Sequence, residues 1–283
     1  MIPDIANVYG HYRPRWWAAA LVTFAQAQPR NWLGQQFAQV ARKLVLAFSR
    51  LPIDIAVGPI RMRCYLRDNN SERKFVFMPW RFDRLERELI ARELPRDGVF
   101  VDIGANVGIY SLCAGTGLDA AGRIAAFEPN PPALDRLRFN LEATRANSRE
   151  WPRVDVLPIG ISDTEGEFEL SLDAGNLGGS SLSIDHRAGG TVRVRCRPLL
   201  AVLGELGIDR VDVLKIDIEG AEDRALLPFL AGAPASLLPR WIVIENSEHL
   251  WREDLPGAIR ASGYEMAIRT RMNTVYRLAS SSA

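Results

Sequence analysis

Cysteine is scarce in this chain: Cys64, Cys113 and Cys196 are the only three in 283 residues. Their number is odd and their spacing wide, which excludes a disulfide framework and any CxxC zinc or redox motif. A reducing, cytoplasmic setting is therefore expected. Histidine is equally rare, and neither His11 nor His186 has a motif around it. Net charge is almost absent, at +1 from 35 Lys+Arg and 34 Asp+Glu, so the whole-chain balance selects no partner. Long apolar runs are missing too. The most apolar early stretch, Trp16–Ala27, falls short of the roughly 20 residues that a membrane span needs. The start, MIPDIANVYGHYRPR, has no apolar segment behind a basic one, so no signal peptide is expected. Internal repeats, low-complexity segments and the interleaved aromatic and basic motifs of RNA-binding modules are lacking, and no nucleic-acid partner is expected.

What is present supports a sizeable core. The chain is 47% hydrophobic, enough for one large domain with additions. Its charge is uneven: residues 1–96 carry 16 Lys+Arg against 8 Asp+Glu, a basic start on a mildly acidic body. Residues 1–80 read as a helical and β extension, and residues 81–283 as the main domain. In the extension, Pro14 suits the first turn of a helix with Trp17, Ala20, Leu21 and Phe24 on one face. A second helix, about Asn31–Arg50, places Leu33, Phe37, Val40, Ala41, Leu44 and Phe48 at helical spacing. Such helices suit packing on the main domain, pairing of two copies, or peripheral contact with a membrane. The segments IDIAVGPIRMRCYL and KFVFMPW read as two or three strands. Arg81–Glu93 reads as a charged helix.

From about Asp97 apolar strands alternate with helices. Strands are expected at Val99–Asp102, Arg123–Glu128, Val154–Pro158, Val211–Asp217 and Trp241–Glu245, with helices most clearly at Pro131–Thr144 and Glu219–Leu230. This alternation predicts an α/β fold with a doubly wound, mostly parallel sheet. Tyr264–Arg269 and Thr274–Leu278 are expected to close one edge as an antiparallel hairpin. An insertion, Thr164–Arg197, holds the β-like stretch Glu167–Leu172, a Gly/Ser loop from Gly175 to Ser183, and another strand, Thr191–Arg197.

In such sheets ligands bind at the carboxyl ends of the strands, where strand order reverses. The first strand of the alternating region ends in Asp102, and Gly104, Asn106 and Gly108 follow at every second position. A dinucleotide fingerprint would read GxGxxG. Here Asn106 stands at the second glycine and Gly108 comes one residue early, which counts against NAD or FAD. The next strand ends in Glu128, placed to accept hydrogen bonds from ribose hydroxyls. Asn130 beside it is assigned to the same pocket. Ser162 and Asp163, after the third strand, suit an adenine amino group.

Five blocks in this order, VDIGANVGIYS, AFEPNP, GISDTEG, GGSSL and LKIDIEGAE, resemble the FkbM family of class I S-adenosylmethionine-dependent methyltransferases. The resemblance covers about Arg81–Leu278 and implies a Rossmann-like fold. It also implies S-adenosyl-L-methionine as cofactor and methyl transfer, usually to a hydroxyl of a small molecule, sugar or glycolipid. The resemblance of GGSSL makes the Gly175–Ser183 loop a candidate acceptor-side lid.

Methyl transfer needs alignment of acceptor, methyl and sulfur, and a base for the acceptor's proton. Asp217 is expected beside the methyl donor. Glu219, Glu245 and His249 are the other candidate catalytic groups. Glu222 is more simply a helix-start acid that complements the dipole. Asp217, Glu219, Glu245 and Asn246 could also supply oxygens to a magnesium ion, though the spacing does not require one. A catalytically inactive binding protein on the same fold and an NAD-dependent oxidoreductase are the alternatives.

Overall fold

The computed structural model describes residues 3–173, 175–179 and 190–279. Two helices open the chain, α1 (Trp16–Gln26) and α2 (Trp32–Phe48), followed by a hairpin of β1 (Ile53–Val57) and β2 (Ile60–Cys64). Helices α3 (Asn70–Phe77) and α4 (Arg84–Glu93) lead into the alternating region. That region runs β3 (Val99–Ile103), α5 (Ile109–Gly115), β4 (Arg123–Phe127), α6 (Pro131–Arg145) and β5 (Arg153–Leu157). A small sheet of β6 (Gly160–Ile161), β7 (Gly166–Ser171) and β8 (Thr191–Arg197) interrupts it. Then follow α7 (Leu199–Glu205), β9 (Val213–Ile216), α8 (Glu222–Gly232), β10 (Trp241–Glu245) and α9 (Leu255–Ala261). The hairpin β11 (Tyr264–Arg269) and β12 (Asn273–Leu278) ends the described chain.

The main sheet has seven strands in the order β11-β12-β10-β9-β3-β4-β5. From β10 to β5 every pairing is parallel, while β12 is antiparallel to both β10 and β11. The chain winds outward from β3 through β4 and β5, then crosses back to β9 on the other side of β3. Strand order therefore reverses at β3, where a crevice opens at the strands' carboxyl ends. Alternation along each strand divides the core. Phe100, Ile124, Ala126, Val213 and Val243 face one side, packed with α4, α5, α6 and the N-terminal elements. Val101, Ala125, Phe127, Leu214 and Ile242 face the other, under α7, α8 and α9. Burial on both faces explains the continuous apolar runs.

Two N-terminal expectations are corrected. KFVFMPW is not a strand: Lys74–Phe77 complete α3, because the Asn69 side chain accepts the Glu72 N–H at 2.9 Å and caps the helix. The apolar Phe75–Phe77 run is buried all round, and so loses the periodicity that distinguishes strand from helix. In α1 Ala18, Val22 and Ala25 are buried, Trp17 and Leu21 pack half-buried against the core, and Phe24 is exposed. In α2 the buried residues are Gly34, Ala38, Ala41 and Val45, while Leu33, Phe37, Val40, Leu44 and Phe48 are exposed. At Gly34 close approach excludes a larger residue: a Cβ there would lie 2.1 Å from the Pro29 carbonyl oxygen.

Buried ion pairs fix the extension to the sheet. Arg63 pairs with both oxygens of Asp54 at 2.8 and 3.0 Å and donates to the carbonyls of Asp4, Asn7 and Val8. Arg136 on α6 reaches both oxygens of Asp68 at 2.8 and 2.7 Å and lies 3.8 Å from Glu72. Asn140 on α6 accepts from the Arg63 N–H at 2.9 Å and donates to the Val107 carbonyl at 3.0 Å. These contacts hold the segment 65–72 beside the glycine loop.

Candidate active site

The crevice at the strand ends is a cleft of about 210 Å³. Its floor is the turn after β3. Gly104 (φ +73°) and Gly108 (φ +94°) both lie in the left-handed region. A Cβ on Gly104 would sit 2.0 Å from the Asp217 carbonyl oxygen, and one on Gly108 would sit 2.6 Å from Leu137 Cδ1. Contact with backbone as well as dihedral therefore requires glycine at 104, while at 108 the dihedral is the main demand. Asn106, at φ +52°, takes the left-handed position that asparagine tolerates best after glycine.

Glu128 lies at the tip of β4 and lines the cleft. One carboxylate oxygen accepts the Asn106 N–H at 2.7 Å and the other the Asn130 N–H at 2.9 Å. Burial pushes its carboxyl up to about 7, against the pull of those two donors. Each oxygen has lone-pair capacity beyond the backbone bond it accepts. Asn130 is buried next to it, and its backbone N–H supports the carboxylate from behind.

The opposite wall is acidic. Asp217, Glu219 and Glu245 converge from the ends of β9 and β10, each offering an oxygen within 4.8 Å of the others. Burial first, then the charges of Asp217 and Glu219, hold the Glu245 carboxyl far above the usual carboxylate range. Three carboxylates this close repel one another, a repulsion that protonation or a cation would relieve. Their oxygens are of the type magnesium prefers.

Lys215 is buried beneath this wall, its Nζ 3.6 Å from both Asp102 and Asp217 and donating to the Gly104 carbonyl at 3.0 Å. Burial opposes its charge, but Asp217 and Asp102 outweigh that effect and raise its pKa. Asp102 itself lies under the turn and off the cleft surface. It accepts from the backbone and hydroxyl of Ser111 at 3.1 and 2.6 Å, tying the turn to α5.

Other expected residues lie away from the cleft. Beyond Ile161 the chain turns into the small sheet, with the Ser162 N–H donating to Arg197. Asp163 pairs with Arg224 at 3.0 Å, and neither it nor Ser162 lines the cleft. His249 sits exposed on the short 3-10 turn Glu248–Leu250, outside the lining. Asn246 donates to the Thr270 carbonyl and accepts from the Thr274 hydroxyl, so it fixes the β12 hairpin. Glu222 accepts from the N–H groups of Ile218 and Gly220 and from Trp251 Nε1, a structural role at the start of α8. Of the expected lid, Asn176, Leu177 and Gly178 line the cleft, and residues 180–183 lie outside the described residues.

Sequence reasoning did not find the third wall. Asp83, at φ +39°, lines the cleft and accepts from the Tyr110 hydroxyl at 3.1 Å. Burial and the neighbouring Glu86 push its carboxyl up to about 6. Asn70, Ser71 and Lys74 from α3 complete the wall. Asn69 Nδ2 donates to Asn106 Oδ1 at 3.0 Å, joining α3 to the glycine turn. The signal for this wall was the Asn69–Glu72 capping pattern, which the apolar run after it obscured.

Counting the cleft's described lining, five acids (Asp83, Glu128, Asp217, Glu219, Glu245) stand against two lysines, Lys74 and Lys215. The surface suits a cationic or hydroxyl-rich ligand. Fold and crevice together are those of a Rossmann-like α/β protein that holds its ligand at the strand-order reversal.

The sequence profile described as "Methyltransferase FkbM domain" matches residues 102–266. The chain belongs to the FkbM methyltransferase family. It is 32% identical to the AMB antimetabolite synthetase AmbE of Pseudomonas aeruginosa, over 71% of this chain and 11% of that protein. It is 33% identical to the methyltransferase sdnD of Sordaria araneosa, over 46% of this chain and 59% of the relative. With the hexuronic acid methyltransferase AglP of Haloferax volcanii it shares 24% identity, over 69% of this chain and 72% of the relative. The chain thus spans about a tenth of AmbE and under two thirds of sdnD.

Proposed function

We propose that the protein is an O-methyltransferase that uses S-adenosyl-L-methionine and acts on a hydroxyl of a small molecule, sugar or glycolipid. One observation carries this reading: an acidic cleft at the strand-order reversal, with Glu128 on one side and the Asp217–Glu219–Glu245 trio on the other. When bound, S-adenosylmethionine supplies a methyl group on a positively charged sulfonium. Glu128 would hold the ribose hydroxyls, and the Gly104–Gly108 turn would leave room for the backbone to approach. The cleft's excess of carboxylates favours a ligand that carries positive charge.

The trio would serve the acceptor. As the new carbon–oxygen bond forms, the methyl–sulfur bond would break to leave neutral S-adenosylhomocysteine, and the acceptor's O–H proton would pass to a carboxylate. Asp217 and Glu219, which line the cleft beside Glu245, are the candidate proton acceptors. Lys215 holds Asp217 in place from below. AglP is named for hexuronic acid, which makes sugar acids a reasonable first acceptor panel.

Calorimetry with S-adenosylhomocysteine, followed by transfer of a labelled methyl to sugars and hydroxylated small molecules, tests the reading. Binding and transfer to a hydroxyl are expected. Tight NAD binding without S-adenosylhomocysteine binding would overturn it, and donor binding with no transfer to any acceptor would favour a binding protein.

A further inference from the structure

The N-terminal helices leave a large apolar face uncovered. On α2 the stripe Leu33, Phe37, Val40, Leu44 and Phe48 is between 40 and 71% exposed. On α1, Trp16 is 82% and Phe24 47% exposed. Phe24 and Phe37 meet edge to face with ring centroids 6.3 Å apart, joining the two helices' exposed surfaces into one patch. The side of α2 that packs on protein is made of small residues, Gly34, Ala38 and Ala41, with Val45. The larger side chains therefore point outward, the reverse of an ordinary surface helix.

Charge indicates what covers this face. Between Asp4 and Asp54 the chain has six Lys+Arg and no acidic residue. Arg13, Arg15, Lys43 and Arg50 are exposed. Arg30 is also exposed and lies 3.6 Å from Glu88. A second copy meeting this face symmetrically would set two cationic rims against each other. Among the described residues no helix is long and apolar enough to cross a membrane, so the patch can lie on a bilayer but not span it. Trp16 and Trp32 open the two helices, and tryptophan favours the bilayer's headgroup level.

We propose that the exposed faces of α1 and α2 dock on an anionic membrane surface, with Phe37, Leu44 and Phe48 inserted at the acyl boundary and Arg13, Arg15, Lys43 and Arg50 among the headgroups. Apolar burial and attraction to anionic lipid act together in this mode.

Co-sedimentation of the full chain tests it. Phosphatidylcholine vesicles with and without one third phosphatidylglycerol are compared at low salt and at high salt. Binding to the anionic vesicles is expected to be at least tenfold tighter and to weaken with salt. F37S/L44S alters only exposed positions and should lower binding at least tenfold while the protein stays folded, its melt lowered by no more than the lost Phe24–Phe37 contact requires. K43E/R50E provides a second variant should the first fold poorly, and should lose about fivefold or more per charge reversed. Absence of binding to anionic vesicles, or variants that bind like wild type, would overturn the proposal. So would a concentration-dependent dimer in sedimentation velocity that F37S/L44S dissociates, without vesicle binding by the wild type.

Discussion

Replacing Gly104 by alanine probes the floor of the cleft more sharply than any side-chain deletion. The new Cβ would lie 2.0 Å from the Asp217 carbonyl oxygen, well over 1 Å inside contact distance, and both sides of the contact are backbone. Neither side can move freely. The Gly104 N–H donates to Phe127 at 3.0 Å, its carbonyl accepts from Lys215 at 3.0 Å, and the Asp217 N–H donates to Ile103 at 3.1 Å. A φ of +73° costs a residue with a Cβ about 1–2 kcal/mol. Relief of the clash must break at least one of those buried hydrogen bonds, at about 1–3 kcal/mol. Gly104→Ala should therefore lose about 2–5 kcal/mol of stability in urea denaturation and bind S-adenosylhomocysteine much more weakly. Gly108→Ala provides the internal comparison. Its Cβ meets only the flexible end of Leu137, at 2.6 Å, so its loss should be smaller. A Gly104→Ala protein within 1 kcal/mol of wild type and with unchanged ligand affinity would refute the reasoning.

Three further outcomes are expected. Glu128→Ala should weaken S-adenosylhomocysteine binding by about 1.5–3 kcal/mol, the range for hydrogen bonds to a charged group, as read by calorimetry; unchanged affinity would remove Glu128 from the ligand site. Asp217→Asn should cut turnover by about a hundredfold or more in a labelled-methyl assay with little change in melting temperature, whereas wild-type turnover would exclude it from the chemistry. Burial pushes Glu72 and Glu128 up to about 7 from 4.5, so the folded state holds more protons than the unfolded state in between. Their stabilising contribution is complete below about pH 4.5 and is lost as pH rises through about 7, by roughly 3 kcal/mol each at most. Glu72→Gln should remove its share, so that wild-type stability relative to the variant falls between pH 5 and 8; a difference that stays flat or rises would contradict the assignment.

Much of the main domain was legible because its strands are buried on both faces. Val99–Ile103 and Trp241–Glu245 have no polar face, so length and flanking turns located them. Glu128, Asp217, Glu219 and Glu245 were legible for a related reason: an acid that ends an apolar strand stands where a parallel sheet opens. The N-terminal layer was harder. The α2 pattern correctly gave a helix, but it identified the apolar face and not which part of that face packs. Small residues took the packed side because α1 comes close there, a tertiary constraint that spacing alone does not carry. Ser162 and Asp163 failed for a similar reason. The short β6 pairs with β8 from a distant part of the chain and draws the following residues away from the cleft.

The residues that sequence rules handle worst gather around the cleft. Four described non-glycine residues have positive φ: Leu66, Asp83, Asn106 and Glu219. Asp83, Asn106 and Glu219 line the cleft, one on each of three separate segments. Leu66 stands just behind its α3 wall, its N–H held by the buried Glu72 carboxylate at 3.0 Å. A left-handed non-glycine residue costs about 1–2 kcal/mol, and three on one small cleft would relax unless surrounding contacts over-determined them. Those contacts include Tyr110 on Asp83 and Asn69 and Glu128 on Asn106. Strain shared by three segments that meet only in the folded chain is characteristic of a site shaped for a ligand. It also explains why Asp83 gave no sign in the sequence, where an aspartate before a charged helix looks like an ordinary cap, yet its side chain makes no capping hydrogen bond.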